Sequence, residues 1–238
     1  MKKIFLLTAF LFTINLCHSQ VLITLLLGDK LNTGKIEFGL DGGFNWSGMD
    51  GLESKTALRT FNLGFYFDFL IKENWYFNTG VLVKSSVGAY DISENDLLLL
   101  DPTFVFVDSG SYYQQINYFH IPLAIKYRFQ NHFYFRLGPQ LALRTKAKVI
   151  FDGRINGKSV VIENDNSDLF TRLEASVLAG VGYKLKQGKG MNIGIKYFYG
   201  LTDVYKGDQL DIKNNSLYAY VNIPIGRGKA LKEEKSGD

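Results

Sequence analysis

Long stretches of this chain place an apolar or aromatic residue at every second position. Residues 61–69 read FNLGFYFDF, so Phe61, Leu63, Phe65, Phe67 and Phe69 share one face of an extended strand. Asn62, Gly64, Tyr66 and Asp68 take the other. A near-continuous band of large apolar residues backed by a polar, partly charged face predicts a sheet with lipid on one side and a packed polar interior on the other.

The pattern recurs in eight segments: 35–46, 59–70, 75–88, 115–129, 133–148, 169–185, 191–201 and 215–225. Tilted strands of about 9–11 residues cross a bilayer. Tight turns at Lys72-Glu73-Asn74, Gln130-Asn131-His132 and Gln187-Gly188-Lys189-Gly190 alternate with much longer connections. This predicts an all-β, eight-stranded antiparallel up-and-down transmembrane β-barrel over residues 35–225, with long extracellular loops and short periplasmic turns. Phe67, Phe69, Trp75, Phe77, Tyr127, Phe129, Phe133, Phe135 and Tyr183 cluster toward the short-turn end, as an interfacial girdle would. A soluble, lipocalin-like barrel shares the same period. The bulk of the apolar face, the charges and glycines opposite it, and the N-terminal segment favour lipid outside.

That N-terminal segment reads MKKIFLLTAFLFTINLCHSQ. Lys2 and Lys3 precede an apolar run from Ile4 to Leu16, and Cys17-His18-Ser19 supplies small residues before a cleavage point. Residues 1–19 therefore read as a secretory signal peptide. A lipidated Cys17 fits less well after the bulky Leu16, and a helical anchor is interrupted at Asn15 and His18–Gln20. Cleavage removes the only cysteine, and with it disulfide and thiol chemistry, and lowers the net charge from +4 to +2. The remaining bases are scattered, which gives no footing for nucleic acid. Residues 20–34 read as a periplasmic N-terminal segment in which Val21–Leu27 is too short to span. Residues 226–238 read as a charged, disordered periplasmic tail.

Several segments resemble the PorT-like outer-membrane β-barrel family of Bacteroidota: IEFGLDGGFNWS at 36–47, YFHIPLAIKYRF at 118–129, FRLGPQLAL at 135–143, GVGYKL at 180–185 and IKYFYGLTDV at 195–204. The resemblance implies an eight-stranded outer-membrane barrel without a catalytic residue. One departure is the last strand, LYAYVNIPI, which ends at Ile225 rather than on the aromatic residue that many outer-membrane strands carry.

Inside the barrel the alternation places Glu37, Asp41, Asp68 and Glu174 with Lys84, Lys126, Arg128, Arg136, Arg144, Arg172, Lys184 and Lys196. An eight-stranded lumen is just wide enough to be filled by its own side chains, so these charges read as an ion-pair network. The excess of bases also admits a narrow, porin-like anion path. Pro122 falls mid-strand and predicts a bulge. His120 and His132 have no spacing to acids, serines or one another that reads as catalytic or metal-binding, and no cofactor site is expected. An enzyme acting on lipid or peptide is the weakest reading.

The loops carry what specificity there is. Leu97, Leu98, Leu99 and Leu100, with Phe104 and Phe106, form an apolar run that would contact a partner, dip into lipid or pack beneath a lid. Asn156-Gly157 between two alternating runs predicts a β-hairpin rising beyond the membrane. The expected role is non-enzymatic: a structural or interaction barrel in the outer membrane, with lipid around it and protein partners at its extracellular loops. The resemblance alone adds a place in an envelope or secretion assembly, and nothing in the sequence fixes an oligomeric state.

Overall fold

The computed structural model describes residues 34–101, 110–155, 157–208 and 211–225. Residues 1–19, expected as a signal peptide, residues 20–33 with Val21–Leu27, Phe104, Phe106, Asn156, and residues 226–238, expected as a tail, lie outside them. The described residues form β1 (Ile36–Asp50), β2 (Thr56–Lys72), β3 (Trp75–Tyr90), helix α1 (Glu94–Leu100), β4 (Gly110–Arg128), β5 (Phe133–Ile155), β6 (Lys158–Asp165), β7 (Leu173–Lys184), β8 (Asn192–Gly200) and β9 (Lys213–Pro224). Among them, no helix is long and apolar enough to cross a membrane.

Eight strands close a ring in the order β1-β2-β3-β4-β5-β7-β8-β9, with β9 pairing back on β1 and every contact antiparallel. Closure leaves no open edge within the ring, the condition for sheet structure in hydrocarbon. The ninth strand, β6, stands outside it and among the described residues pairs only with the upper part of β5, from Lys148↔Asp165 to Ile155↔Lys158. It forms the hairpin expected at Asn156-Gly157, where Gly157 takes a φ of +77° that a side chain would resist.

The outer wall carries the apolar face. Phe44, Phe61, Phe119, Ile125, Leu137, Val181 and Ile195 are all exposed. Toward the short-turn end the aromatic girdle forms chains of touching rings: Trp75–Tyr127 at 4.7 Å, Tyr127–Phe129 at 5.0 Å and Phe133–Tyr183 at 4.9 Å between centroids. The turns beneath are tight. Glu73 closes β2–β3 with a φ of 50°, and Lys186, Gln187 and Gly188 close β7–β8 in the left-handed region.

Pro122 causes no register shift. It faces the interior opposite Gln140, and pairing with β3 and β5 merely lapses beside it. The shifts fall elsewhere: in the β2–β3 pairing at Ala57/Leu63, Leu63/Gly64 and Leu70/Lys72, and at two bulges beside β4. One lies in β3 between Leu82 and Ser85; the other lies in β5, where Thr145 is the extra residue between Tyr118↔Arg144 and Asn117↔Lys146. A bulge of one residue reverses which face of the strand looks inward. Below the bulges the odd-numbered apolar residues Phe77, Val83, Leu137 and Leu143 face out. Above them Val87, Ala89, Ala147, Val149 and Phe151, still odd-numbered and still apolar, face in and are at most 1% exposed.

Candidate functional site

Two interior regions follow from that reversal. The lower one is a polar plug. Glu37 receives the Lys184 ammonium on both oxygens, at 2.5 and 2.6 Å, and the Tyr66 hydroxyl at 3.0 Å. Lys126 Nζ donates to Asp68 Oδ2 at 2.6 Å and lies 4.1 Å from the Tyr134 ring centroid. Asn78 donates to Asp68 Oδ1 at 2.7 Å and accepts from Arg136 Nη1 at 2.9 Å, and the Arg136 guanidinium stacks 4.3 Å from the Tyr220 ring. Tyr134 and Tyr220 join hydroxyl to hydroxyl at 2.8 Å. Asp41 accepts from Tyr218 at 2.8 Å and faces Lys196 at 3.7 Å. The tyrosines fit because small residues face them: a Cβ on Gly182 would collide with the Tyr134 hydroxyl, and one on Gly194 with the Tyr220 ring.

Eight of the twelve charged positions expected inside are there and buried: Glu37, Asp41, Asp68, Lys126, Arg136, Glu174, Lys184 and Lys196. The other four are all bases, and the structure moves them. Lys84 is exposed on the outer wall, turned out by the β3 bulge. Arg172 is exposed because β7 begins only at Leu173. Arg128 and Arg144 are half-buried at the two ends of the lumen. Arg128 lies over the Tyr76 ring, and Arg144 Nε donates to the Thr171 carbonyl at 3.0 Å. Of the twelve, four acids and four bases are thus buried, and Asp96 and Asp101 are buried as well, so the expected basic excess does not exist there.

The middle of the lumen is polar but hardly charged. Ser216 bonds Asn45, and Gln140 bonds Ser176 at 3.4 Å. His120 Nδ1 meets Ser85 Oγ at 3.0 Å, with its ring between Tyr118 and Phe198. Ser85 and His120 are at most 3% exposed, so this pair has no route to a substrate. Glu174, bonded by Asn214 at 2.7 Å, is the uppermost of these eight buried charges. Among the described residues no group of His, Cys, Asp or Glu is arranged to hold a metal ion.

Above Glu174 the interior becomes an ordinary hydrophobic core. Met49, Leu52, Val87, Ala89, Ile92, Tyr112, Ile116, Phe170, Val204, Tyr205 and Ile212 pack together, and helix α1 closes the mouth over them. Ser93 caps the helix by accepting from the Asp96 amide at 3.1 Å. Three loops hold α1 down. Asp96 Oδ2 accepts from the Glu53 and Ser54 amides at 2.9 and 3.2 Å, Asn166 donates to the Leu100 carbonyl at 3.0 Å, and Tyr205 donates to the Leu99 carbonyl at 3.3 Å. Burial pushes the Asp96 carboxyl above its usual range, against the pull of those two amides. The run read as a contact surface is thereby divided. Leu97 and Leu100 point into the core and are no partner surface, Leu99 is half-buried, and Leu98 is 54% exposed. A helical period sorts these four leucines, and a run of four consecutive apolar residues does not by itself announce a helix.

The family described as outer membrane protein beta-barrel domain matches residues 28–206, and the chain belongs to it. No curated protein matches in sequence. Among solved structures the chain is similar to Ail, the attachment invasion locus protein of Yersinia pestis, at 13% identity and a TM-score of 0.43, over 80% of this chain and 99% of that one. It is similar to Neisserial surface protein A at 14% identity and a TM-score of 0.41, over 78% and 96%. It is also similar to OprG from Pseudomonas aeruginosa at 12% identity and a TM-score of 0.36, over 80% and 93%.

Proposed function

We propose that this outer-membrane barrel is a non-enzymatic interaction protein. In this reading its lumen is closed, its long-loop end faces outward, and it offers the free edge of β6 to an extended segment of a protein partner. The observation that carries the reading is that edge. A two-residue turn makes Ile155↔Lys158 a hydrogen-bonded pair, so alternation directs the amides of Ser159, Val161, Glu163 and Asp165 away from β5. Val161 is 60% exposed and Ile162 is 37% exposed on the same strand. A row of backbone donors and acceptors left unpaired among the described residues, beside apolar side chains, is the template on which a partner strand adds. The plugged, charge-balanced lumen supports an occluded barrel over a channel. The resemblance to PorT-like barrels supports a place in an envelope or secretion assembly.

The test is a proline at the free edge. Val161→Pro removes an outward donor and leaves the β5–β6 ladder intact. A photo-crosslinker at Ser159 should give one discrete protein adduct on intact cells in the parent chain and none in the Val161→Pro chain. Equal adducts in both would show that the edge is not the contact.

A further inference from the structure

The two bulges lie at one level of the barrel and flank the same residue of β4. Ser85 pairs with Tyr118, Tyr118 pairs with Arg144, and the Arg144 amide donates to the Arg172 carbonyl at 2.8 Å. This hydrogen-bonded row crosses β3, β4, β5 and the start of β7. On its outer side stand Lys84, Lys146 and Arg172, all exposed. Neighbouring strands are about 4.8 Å apart, so the three bases span roughly 15 Å.

What lies beneath and beside them defines the ligand. Lys84 follows Val83, which is 45% exposed, and Arg172 precedes Leu173, which is 61% exposed. Leu143, on the strand between, is equally lipid-facing. Each base therefore stands at the upper limit of the apolar wall. A lysine or arginine on the lipid face costs several kcal/mol at the bilayer midplane and almost nothing at the interface, so the arc marks the headgroup level. Among the described residues neither Lys84 nor Arg172 has an ion-pair partner, and Lys146 has only the exposed Asp165 at 3.7 Å.

We infer that the arc of Lys84, Lys146 and Arg172 binds the phosphate groups of a phosphorylated glycolipid headgroup in the outer leaflet. The acyl chains of that lipid lie along the wall below Val83, Leu143 and Leu173. The apolar wall adjoining each base favours a lipid-borne phosphate over a free anion, because only the former gains from both surfaces. The inference rests on the outward orientation of the long loops and is independent of the β6 edge.

The experiment uses the full-length mature chain in zwitterionic detergent micelles. Diphosphorylated lipid A or its enzymatically dephosphorylated form is added, and retained lipid is counted by native mass spectrometry. The phosphorylated form should be retained in preference. The triple variant K84Q/K146Q/R172Q should lose about fivefold per base, or about a hundredfold in all, since a base near an anionic lipid surface contributes on that scale. A control variant, K72Q/K186Q/K189Q, removes three exposed bases from the short-turn end and should retain lipid as the parent does. Equal retention of the two lipids, or equal losses in the two variants, overturns the inference. Displacement of bound lipid by millimolar inorganic phosphate also overturns it, in favour of a free-anion site. Val161→Pro should leave retention unchanged, which separates this result from the fate of the edge-strand reading.

Discussion

The lower and upper halves of this barrel solve opposite problems with the same strands. Within the membrane the wall is apolar outside, and the interior holds Glu37–Lys184, Asp68–Lys126 and Asp41–Lys196 among tyrosines. Above it the interior is apolar, as in a soluble domain. On β3 and β5 the sequence does not change its alternation between the two; the extra residue near Lys84 and Thr145 changes which face that alternation serves. β4 has no such extra residue of its own. There the sequence itself changes phase, from outward Phe119 to inward Ile116 and Tyr112. A barrel that passes from lipid to water must invert its pattern, and it can do so by composition or by geometry.

Deleting Thr145 should break the contrast most severely. It restores simple alternation on β5 and turns Ala147, Val149 and Phe151 toward solvent. Loss of two large buried side chains costs about 1.5–3 kcal/mol each, so the upper core should open. Protease should then cut the β5–β6 hairpin and the α1 loop in folded protein, while the barrel below stays heat-modifiable on gels. Unchanged protease resistance would mean that the strand re-forms its bulge elsewhere.

A smaller effect is expected in the lower half. Asp68→Asn or Lys126→Met leaves a buried charge without its partner, which costs about 3–5 kcal/mol, whereas the double variant should recover most of that loss. Urea unfolding of the chain refolded in vesicles measures all three. Additive losses would show that Asp68 and Lys126 are not coupled, and that the plug is held by its tyrosines instead.

The smallest effect separates the halves by pH. Burial holds the Asp96 carboxyl above its usual range, so the clamped helix binds its proton more tightly than the released loop does. Stability of the lid is therefore full below the ordinary carboxylate range and declines as pH rises through the raised value. Protection of α1 amides from hydrogen exchange, corrected for intrinsic rate, should fall modestly over that window, and Asp96→Asn should flatten it. A decline that survives in the Asn variant would assign the titration to another group.

The ring of eight strands, the inward set on β4 and the Asn156-Gly157 hairpin were legible in the sequence because a period of two reports its own geometry. Lys84 was not. A bulge adds a residue without disturbing the apolar alternation around it, so a period of two carries the lower phase of β3 past the point where the chain reverses it. Arg172 was misplaced by a strand boundary, which a boundary residue's own chemistry does not announce. Leu97 and Leu100 were legible as apolar but not as buried, since a seven-residue helix under three loops is specified by contacts far apart in sequence: Asp96 with Glu53, Leu100 with Asn166 and Leu99 with Tyr205.

The bulges also give the molecule a fixed waterline. From Trp75 to Val83 the lipid-facing run of β3 rises about 20–25 Å at ordinary strand tilt. Above that height the wall is basic and then polar, so the barrel has no spare apolar surface to ride higher or lower. A thicker bilayer must therefore dimple around it, at a fraction of a kcal/mol for each ångström of mismatch. Two barrels of the same draught share one dimple when they drift together. Crowding of such proteins into thin patches of membrane thus follows from one inserted residue on each of two strands, before any surface of one molecule recognises another.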